Sequence, residues 1–485
     1  MVKESLRGKT VKGVGWSLID SISGQGITFL VGLILARLLT PEEYGLIGII
    51  TIFIAVFNSI VDSGFSNALI RKNDAEDLDY NTVFIINLVV SVVLFFALFF
   101  SAPLIADFFN QPQLSPLSRV MASIVIINAF AIIQRTLLVK NIDFKTQTKV
   151  SLISSISSGV IGICMAYNDY GVWSLVGQQI SRQLINTIFL WVYSRWSPKL
   201  QFSWNSFKEL FSFGWKLLIS GLIDTIWREI YQVVIGKCYS PATLGQYTRA
   251  QQFGSIFSSN LNNVVQRVSY PALSAIQDEK VRLKQAYRRV IKVTMLVTFV
   301  LMLGLAAISK PMIQVLIGDQ WVMAAKLLPI ICLQMMLYPL HSLNLNMLQV
   351  LGRTDLFLKL EIIKKMISVI PILLGVFVGI YWMLWGSVLT GFFAYYLNTY
   401  YSGKFLNYSM WAQVKDILPA FCVSVIVAIV TYMVSLFPFT PVVLLSIQLL
   451  VGLSLTLILC ECFKLEEYKE IKAMLLSTLQ KNIRK

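Results

Sequence analysis

The chain has 485 residues, 56% of them hydrophobic and only 14% charged, against the roughly 25% charged residues of an average globular protein. That balance excludes a soluble multidomain enzyme, while the modest Gly and Pro content (27 and 14 residues) excludes collagen-like and low-complexity chains. The formal net charge of +16 fits basic loops meeting anionic lipid better than a nucleic-acid-binding surface, so no nucleic-acid partner is expected.

The opening stretch, MVKESLRGKTVKGVGW, is basic, and the apolar run behind it is longer than a signal-peptide core and lacks a cleavage pattern. It reads as a cytoplasmic lead into a first membrane helix. Crossing hydrocarbon as a helix takes about 20 predominantly apolar residues. Applied along the chain, that rule predicts fourteen segments: 13–38, 44–69, 81–107, 117–138, 148–167, 171–194, 210–236, 243–266, 291–308, 324–350, 356–379, 382–402, 415–436 and 441–462. Several carry polar residues, which a membrane helix tolerates where one face lines a protein interior or a water-filled cavity.

Basic residues set the orientation. With the N-terminus inside, most of the 41 Lys and Arg fall on cytoplasmic connections; Arg37, Arg119, Lys237, Lys310 and Lys326 lie near the outside, and Arg182, Arg228 and Arg249 lie at membrane depth. Both termini are therefore expected in the cytoplasm. The largest connections, 195–207 and 274–289, are cytoplasmic and basic, and the external turns are short. None has room for a catalytic or nucleotide-binding domain, and no GxxxxGK[ST] phosphate loop occurs. Beyond the last span, 464–485 spaces Leu465, Tyr468, Ile471, Leu475, Leu479 and Ile483 at three- and four-residue steps. That pattern predicts an amphipathic helix along the inner membrane surface, with partner binding as the alternative.

The six cysteines, Cys164, Cys238, Cys332, Cys422, Cys460 and Cys462, show no metal-ligand or disulfide spacing and read as small apolar residues, so no metal site is expected. The single histidine, His341, reads as a packed or cavity-lining residue before a proton relay.

The chain also resembles itself. Gly15-Trp16 opens the first segment and Gly214-Trp215 the seventh, and the turn Thr-Pro-Glu-Glu-Tyr-Gly (40–45) returns as Ser-Pro-Ala-Thr-Leu-Gly (240–245). A third echo joins Tyr-Gly-Val-Trp-Ser (170–174) with Trp-Met-Leu-Trp-Gly (382–386). The same order in both halves predicts a duplication: an all-α polytopic membrane protein with a six-helix lobe over 1–200, a second over 201–405, two further spans over 406–463 and a tail over 464–485. Repeated lobes that can rock about a central site are a transporter's device, not an enzyme's.

The motif GWS followed by ARLLTPEEYGLIGI, with DSGFSNALIR (62–71) behind it, resembles the polysaccharide-transporter (Wzx-type) flippases of the multidrug/oligosaccharidyl-lipid/polysaccharide exporter superfamily. In topology the resemblance covers the whole chain; in motifs it is strongest over 10–75. It implies two six-helix bundles alternating between inward- and outward-open states. It also implies the cargo, an oligosaccharide repeat unit on a polyprenyl diphosphate, carried from the cytoplasmic to the periplasmic leaflet of a bacterial inner membrane, where polysaccharide polymerase machinery would receive it. A cation-coupled multidrug exporter and a peptidoglycan-precursor flippase of the same superfamily are the alternatives.

Charges at membrane depth cost several kcal/mol unless paired or hydrated, which makes them functional candidates. Arg37 and Lys237 stand at equivalent positions of the two halves, each four residues before the proline of its external turn. With the deeper Arg228 and Arg249 they are the candidates for diphosphate or acidic-sugar contact; snorkelling to headgroups is the bland reading for the first two. Asp20, Asp62 and Asp224 are candidates for a gate or for a coupling proton or sodium ion, the only cofactor considered. Asp224 and Arg228 can also pair along one helix face. Trp227, Tyr231 and Tyr247 are candidates for stacking on sugar rings.

Overall fold

The computed structural model describes residues 23–62, 64–194 and 196–483, in which every regular element is helical. Asp20 lies outside them. The chain divides by packing into two compact units, up to Gly245 and from Gln246 onward. The first unit holds α1 (23–38), α2 (Pro41–Asp62), α3 (Phe65–Arg71), α4 (Asp77–Phe109), α5 (Leu114–Met121), α6 (Ser123–Lys140), α7 (Phe144–Tyr167), α8 (Val172–Tyr193), α9 (Trp204–Cys238) and the first turn of α10 (Pro241–Ser274). The second holds the rest of α10, then α11 (Lys280–Ala307), α12 (Ser309–Ile317), α13 (Val322–Met335), α14 (Tyr338–Val350), α15 (Thr354–Ile367), α16 (Val369–Phe377), α17 (Ile380–Leu406), α18 (Met410–Met433), α19 (Pro441–Cys462) and α20 (Glu466–Ile483).

Among the described residues helix runs through every predicted segment, and 13–22 of the first lie outside them. Among the described residues nine helical stretches are long and apolar enough to cross a membrane, and the protein is a multi-pass membrane protein. Helices outside that nine include α8, which carries Gln178, Gln179, Arg182, Gln183 and Asn186, and α10, rich in Gln, Asn and Ser. Some expected spans are broken: α2 and α3 part at Gly64, α5 and α6 at Ala122, α13 and α14 at Met336–Leu337, and α15 and α16 at Ser368. Others run past their expected ends. Helix α11 begins at Lys280 and α10 continues to Ser274, so the expected connection over 274–289 is largely helix. A hydropathy rule counts apolar residues and misses helical turns that continue in water, where Lys, Arg and Gln are good helix formers.

The exposed surface is apolar in bands. On α4, Val89, Val93, Phe96, Phe100 and Leu104 are exposed at three- and four-residue steps, while Ser91, Leu98 and Ala102 are buried on the other side. In water such a stripe would drive association; in hydrocarbon it is the lipid face. Helix pairs meet instead through small residues. On α7 the buried Ser158, Gly162 and Ala166 recur every four residues, and a Cβ at Gly162 would stand 2.9 Å from the Gln178 side chain of α8. This close approach is how membrane helices gain dispersion energy without a hydrophobic driving force.

The two repeated turns have the same local geometry. In the first, Leu39 N–H donates to Leu35 C=O at 2.9 Å, Glu43 N–H to the Thr40 hydroxyl at 3.4 Å and Tyr44 N–H to Thr40 C=O at 3.3 Å. In the second, Tyr239 donates to Ile235 at 3.0 Å, Thr243 to the Ser240 hydroxyl at 3.2 Å and Leu244 to Ser240 C=O at 3.2 Å. Each is a Thr/Ser N-cap followed by Pro at the first helical position, where its missing N–H costs nothing.

The tail helix α20 is held by ion pairs to its own unit. Lys292 of α11 meets Glu466 at 3.1 Å and the buried Glu467 at 3.7 Å, and Arg289 meets Glu470 at 2.7 Å. The hydrogen bond from Lys292 holds the Glu466 carboxyl below its ordinary pKa. The acidic side of this helix therefore faces α11, an arrangement that hydrophobic spacing alone does not predict.

Candidate functional site

Inside the first unit, α2, α3 and α6 enclose a polar cavity of about 290 Å³. Its origin is the break after α2. Gly64 takes φ 70°, a left-handed conformation that a side chain disfavours, and a Cβ there would lie 2.6 Å from the Gly214 carbonyl of α9. The turn leaves Asp62 at the end of α2, where its Oδ1 accepts from the Ser66 hydroxyl at 2.5 Å and the Ser66 N–H at 3.4 Å. Asp62 thus satisfies an otherwise unpaired N–H in the first turn of α3. The Thr136 hydroxyl of α6 donates onward to Ser66 at 3.1 Å.

Arg135 lines the same cavity, and its guanidinium and the Asp62 carboxylate attract one another across it. The guanidinium also reaches Asn186 of α8 at 3.5 Å. Above them Asn128 donates to Asn58 at 3.0 Å, and Gln183 donates to Asn128 at 2.9 Å. Three helices are therefore cross-linked by side-chain amides around a pocket that contains one acid and one base. Such a chamber can hold a cation at Asp62 or an anion at Arg135, and it offers the amides as neutral hydrogen-bonding groups.

The cavity's α3 wall is fastened at its other end. Lys140 donates to the Leu69 carbonyl at 3.1 Å, the Lys72 carbonyl at 2.7 Å and the Tyr80 hydroxyl at 3.1 Å. Beside it, Lys72 bridges Asp79 at 3.1 Å and Glu209 at 3.0 Å. Burial works to lower the Lys72 pKa, but hydrogen bonds to Glu209 and Asp79 outweigh it, and the net shift is upward. Lys140→Met, which keeps the length of the side chain and removes three donors, is expected to destabilise the first unit by about 1–3 kcal/mol. Thermal unfolding of the detergent-solubilised variant measures this, and an unchanged midpoint would show the cap to be dispensable.

The structure gathers only part of the predicted set. Asp224, Trp227, Arg228 and Tyr231 share one face of α9 by spacing, with Asp224 and Arg228 exposed and the two aromatics partly buried. Arg228 pairs with its neighbour Glu229 at 3.5 Å, in place of the expected Asp224, and Glu229 also accepts from Gln232 at 2.5 Å. Lys237 donates to the Phe108 carbonyl at the end of α4, and its ammonium lies 4.5 Å from the centre of the Phe108 ring, so it closes a helix end as well as carrying charge. Arg37 is exposed on α1. In the second unit Arg249 is buried and donates to Gln252 one turn along α10. Tyr247 is 4% exposed, so it packs in the protein and presents no open ring for stacking. His341 is hydrogen-bonded to the Asn398 amide at 3.2 Å and packs edge-on to Tyr395, as a packed residue does.

Arg135 is the residue that sequence reasoning missed, having been counted with the basic cytoplasmic connections. The signal was present: Gln134-Arg135-Thr136 interrupts an otherwise apolar helix. Among the described residues no group of His, Cys, Asp and Glu can hold a metal ion, and all six cysteines are free.

Comparison with known proteins places this geometry. The family described as "Polysaccharide biosynthesis protein" matches residues 34–326. The succinoglycan biosynthesis transport protein ExoT of Rhizobium meliloti (strain 1021) is 28% identical over 68% of this chain and 67% of its own length. The lipopolysaccharide biosynthesis protein WzxC of Escherichia coli (strain K12) is 24% identical over 76% of each. Among solved structures, an inward closed conformation of the lipid II flippase MurJ superposes with a TM-score of 0.75 at 16% identity, covering 95% of this chain and 99% of that one. That likeness shows a shared fold.

Proposed function

Because the chain belongs to the polysaccharide biosynthesis protein family, matched over residues 34–326, we propose that it is a flippase in surface polysaccharide synthesis. It carries polyprenyl-diphosphate-linked oligosaccharide repeat units from the cytoplasmic to the periplasmic leaflet of a bacterial inner membrane. The family match is the observation that carries this reading. The roles of these relatives, transport in succinoglycan biosynthesis and biosynthesis of lipopolysaccharide, support the cargo class. Both termini are cytoplasmic, the lobes divide at 200/201 by repeat, and fourteen helices span the membrane. Polysaccharide polymerase machinery is the partner that receives the cargo.

No bond is made or broken in this reading, so the protein is a transporter and not an enzyme. Its work is to lower the cost of taking a diphosphate and sugar hydroxyls through hydrocarbon, where each unpaired polar group costs several kcal/mol. Arg37, Arg228 and Lys237 of the first unit and Arg249 of the second are the cations this reading offers to the diphosphate. The Asp62–Arg135 cavity serves coupling: a proton or sodium ion at Asp62 weakens its attraction to Arg135 and frees the α2–α3 break to change shape.

Deleting the gene and measuring lipid-linked oligosaccharides by mass spectrometry tests the reading. Accumulated complete repeat units with loss of surface polysaccharide are expected. Normal lipid intermediates together with sensitivity to cationic drugs would point to an exporter instead. In the complemented strain, Arg135→Ala and Asp62→Asn are each expected to cut polysaccharide output by about tenfold at normal protein levels, the loss that follows from removing one member of a half-buried charge couple. Full output from both would remove this cavity from the mechanism.

A further inference from the structure

At one end of the first unit a second cavity, of about 440 Å³, opens where the connections before α2, before α5 and between α7 and α8 come together. Its floor is apolar: Leu46 and Leu117 line it and are almost wholly buried. Its rim is not. Tyr170 and Trp173 line it with 58% and 37% of their surface exposed, beside the exposed carboxylates of Glu42 and Asp169.

We propose that this cavity is a carbohydrate-binding subsite for uncharged sugar rings of the cargo at the outer mouth of the transporter, a proposal that rests on the flippase reading and its topology. Three observations carry it. The volume lies within the range of small-ligand sites, about 300–1,000 Å³. The described residues that line it include no Lys or Arg, so a phosphate or a uronic acid meets only negative charge there. A neutral pyranose has the complementary chemistry: an apolar C–H face for an exposed aromatic ring, and hydroxyl donors for carboxylates, whose hydrogen bonds are stronger than neutral ones.

The two acids of the first turn of α2 differ in what they touch. Glu43 is structural: its Oε2 accepts from the Thr40 N–H at 2.7 Å and the Thr40 hydroxyl at 3.0 Å, and its Oε1 lies 2.6 Å from where a Cβ on Gly171 would stand. Its carboxylate packs against Gly171, whose positive φ of 53° disfavours a side chain. Glu42 makes no such contact: it complements the dipole of α2 from the first turn and leaves its carboxylate exposed to the cavity. In the repeated turn Ala242 stands in its place, and the Ser240 and Thr243 hydroxyls, 3.0 Å apart, close that turn without any carboxylate. Interfacial anchoring accounts for a Tyr or a Trp facing lipid, but not for two rings placed around one pocket beside two exposed carboxylates.

The test uses full-length protein in lipid nanodiscs and, as probe, the repeat-unit oligosaccharide released from the host's own polysaccharide, free of lipid and phosphate. Saturation-transfer NMR is expected to show contact from protein to the C–H groups of its neutral sugars. Trp173→Ala and Glu42→Gln are each expected to weaken binding by about tenfold, with Trp173→Phe close to wild type, as loss of one stacking or charge-assisted contact implies. Retained binding by a protein carrying Trp173→Ala, Tyr170→Ala and Glu42→Gln together would overturn the site, as would no binding to wild type or a preference for acidic sugars. The deletion strain separates the two ideas. If it accumulates lipid-linked units and the triple variant restores polysaccharide fully, the subsite is wrong and the flippase reading stands. If it accumulates none, the flippase reading itself fails.

Discussion

Alanine at Gly45 or at Gly245 is expected to abolish polysaccharide export. A Cβ on Gly45 would stand 1.8 Å from the Pro241 carbonyl oxygen, and a Cβ on Gly245 1.8 Å from the Pro41 carbonyl oxygen. Contacts below 3.0 Å are essentially never seen for a Cβ, and the obstacle is backbone, which cannot rotate away as a side chain can. The first turns of α2 and α10 must therefore move apart. The two substitutions strain one reciprocal contact, so the double variant is expected to be little worse than either single one. Gly304→Ala is the control. Nothing lies within 4 Å of its Cβ, and in the interior of α11 alanine is expected to be neutral or to stabilise by up to about 1 kcal/mol. Surface polysaccharide assayed against membrane protein level decides the matter. Normal export from Gly45→Ala at normal abundance would show that the contact can be lost without cost.

Removing the Asp416 carboxylate is expected to have the largest effect on the stability of the second unit. Arg288 of α11 grips Asp416 of α18 with Nε on one carboxylate oxygen and Nη2 on the other, and the buried Tyr408 hydroxyl donates to the same carboxylate at 2.6 Å. Asp416 is 9% exposed, so its replacement leaves the Tyr408 phenol and the Arg288 guanidinium without their shared acceptor. Because 52% of the Arg288 side chain is exposed, water recovers part of the loss, and Asp416→Ala is expected to cost about 2–3 kcal/mol. Tyr408→Phe, which deletes one donor, is expected to cost roughly 1 kcal/mol. Thermal unfolding in detergent checks both. Equal midpoints for Asp416→Ala and wild type would mean that the pair contributes nothing. The network continues inward, since Gln413 of α18 exchanges hydrogen bonds with Asn344 at 3.2 Å and Asn344 accepts from Ser402 at 2.7 Å; α14, α17 and α18 are locked by side-chain amides much as α2, α6 and α8 are.

The candidate site was legible in its outline and not in its pairing. Asp62 stood out because a carboxylate followed by Ser-Gly interrupts an apolar helix, and the structure places it at that break. Its neighbour across the cavity did not stand out, since Arg135 sits near a helix end among Lys140, Lys145 and Lys149 and reads like one more cytoplasmic base. Arg228 shows the converse. Spacing along α9 allowed a partner at Asp224, but adjacent Glu229 turns back to it and takes the contact. A helix fixes which residues share a face to within its 100° step; it does not fix which rotamer each adopts or which helix lies opposite.

By itself the sequence determined that this is an all-helical membrane protein and that its two halves carry the same proline-capped turn. These depend on the local balance of apolar and polar residues and on turn chemistry, which act over a few residues at a time. Only the tertiary structure decided that Arg135 shares a cavity with Asp62, that Tyr247 is buried, that the acidic side of α20 faces α11, and that Glu42 and Trp173 line one cavity. Those depend on contacts between residues far apart in the chain, selected by close helix packing and by the cost of leaving a charge unpaired, and no local pattern encodes them.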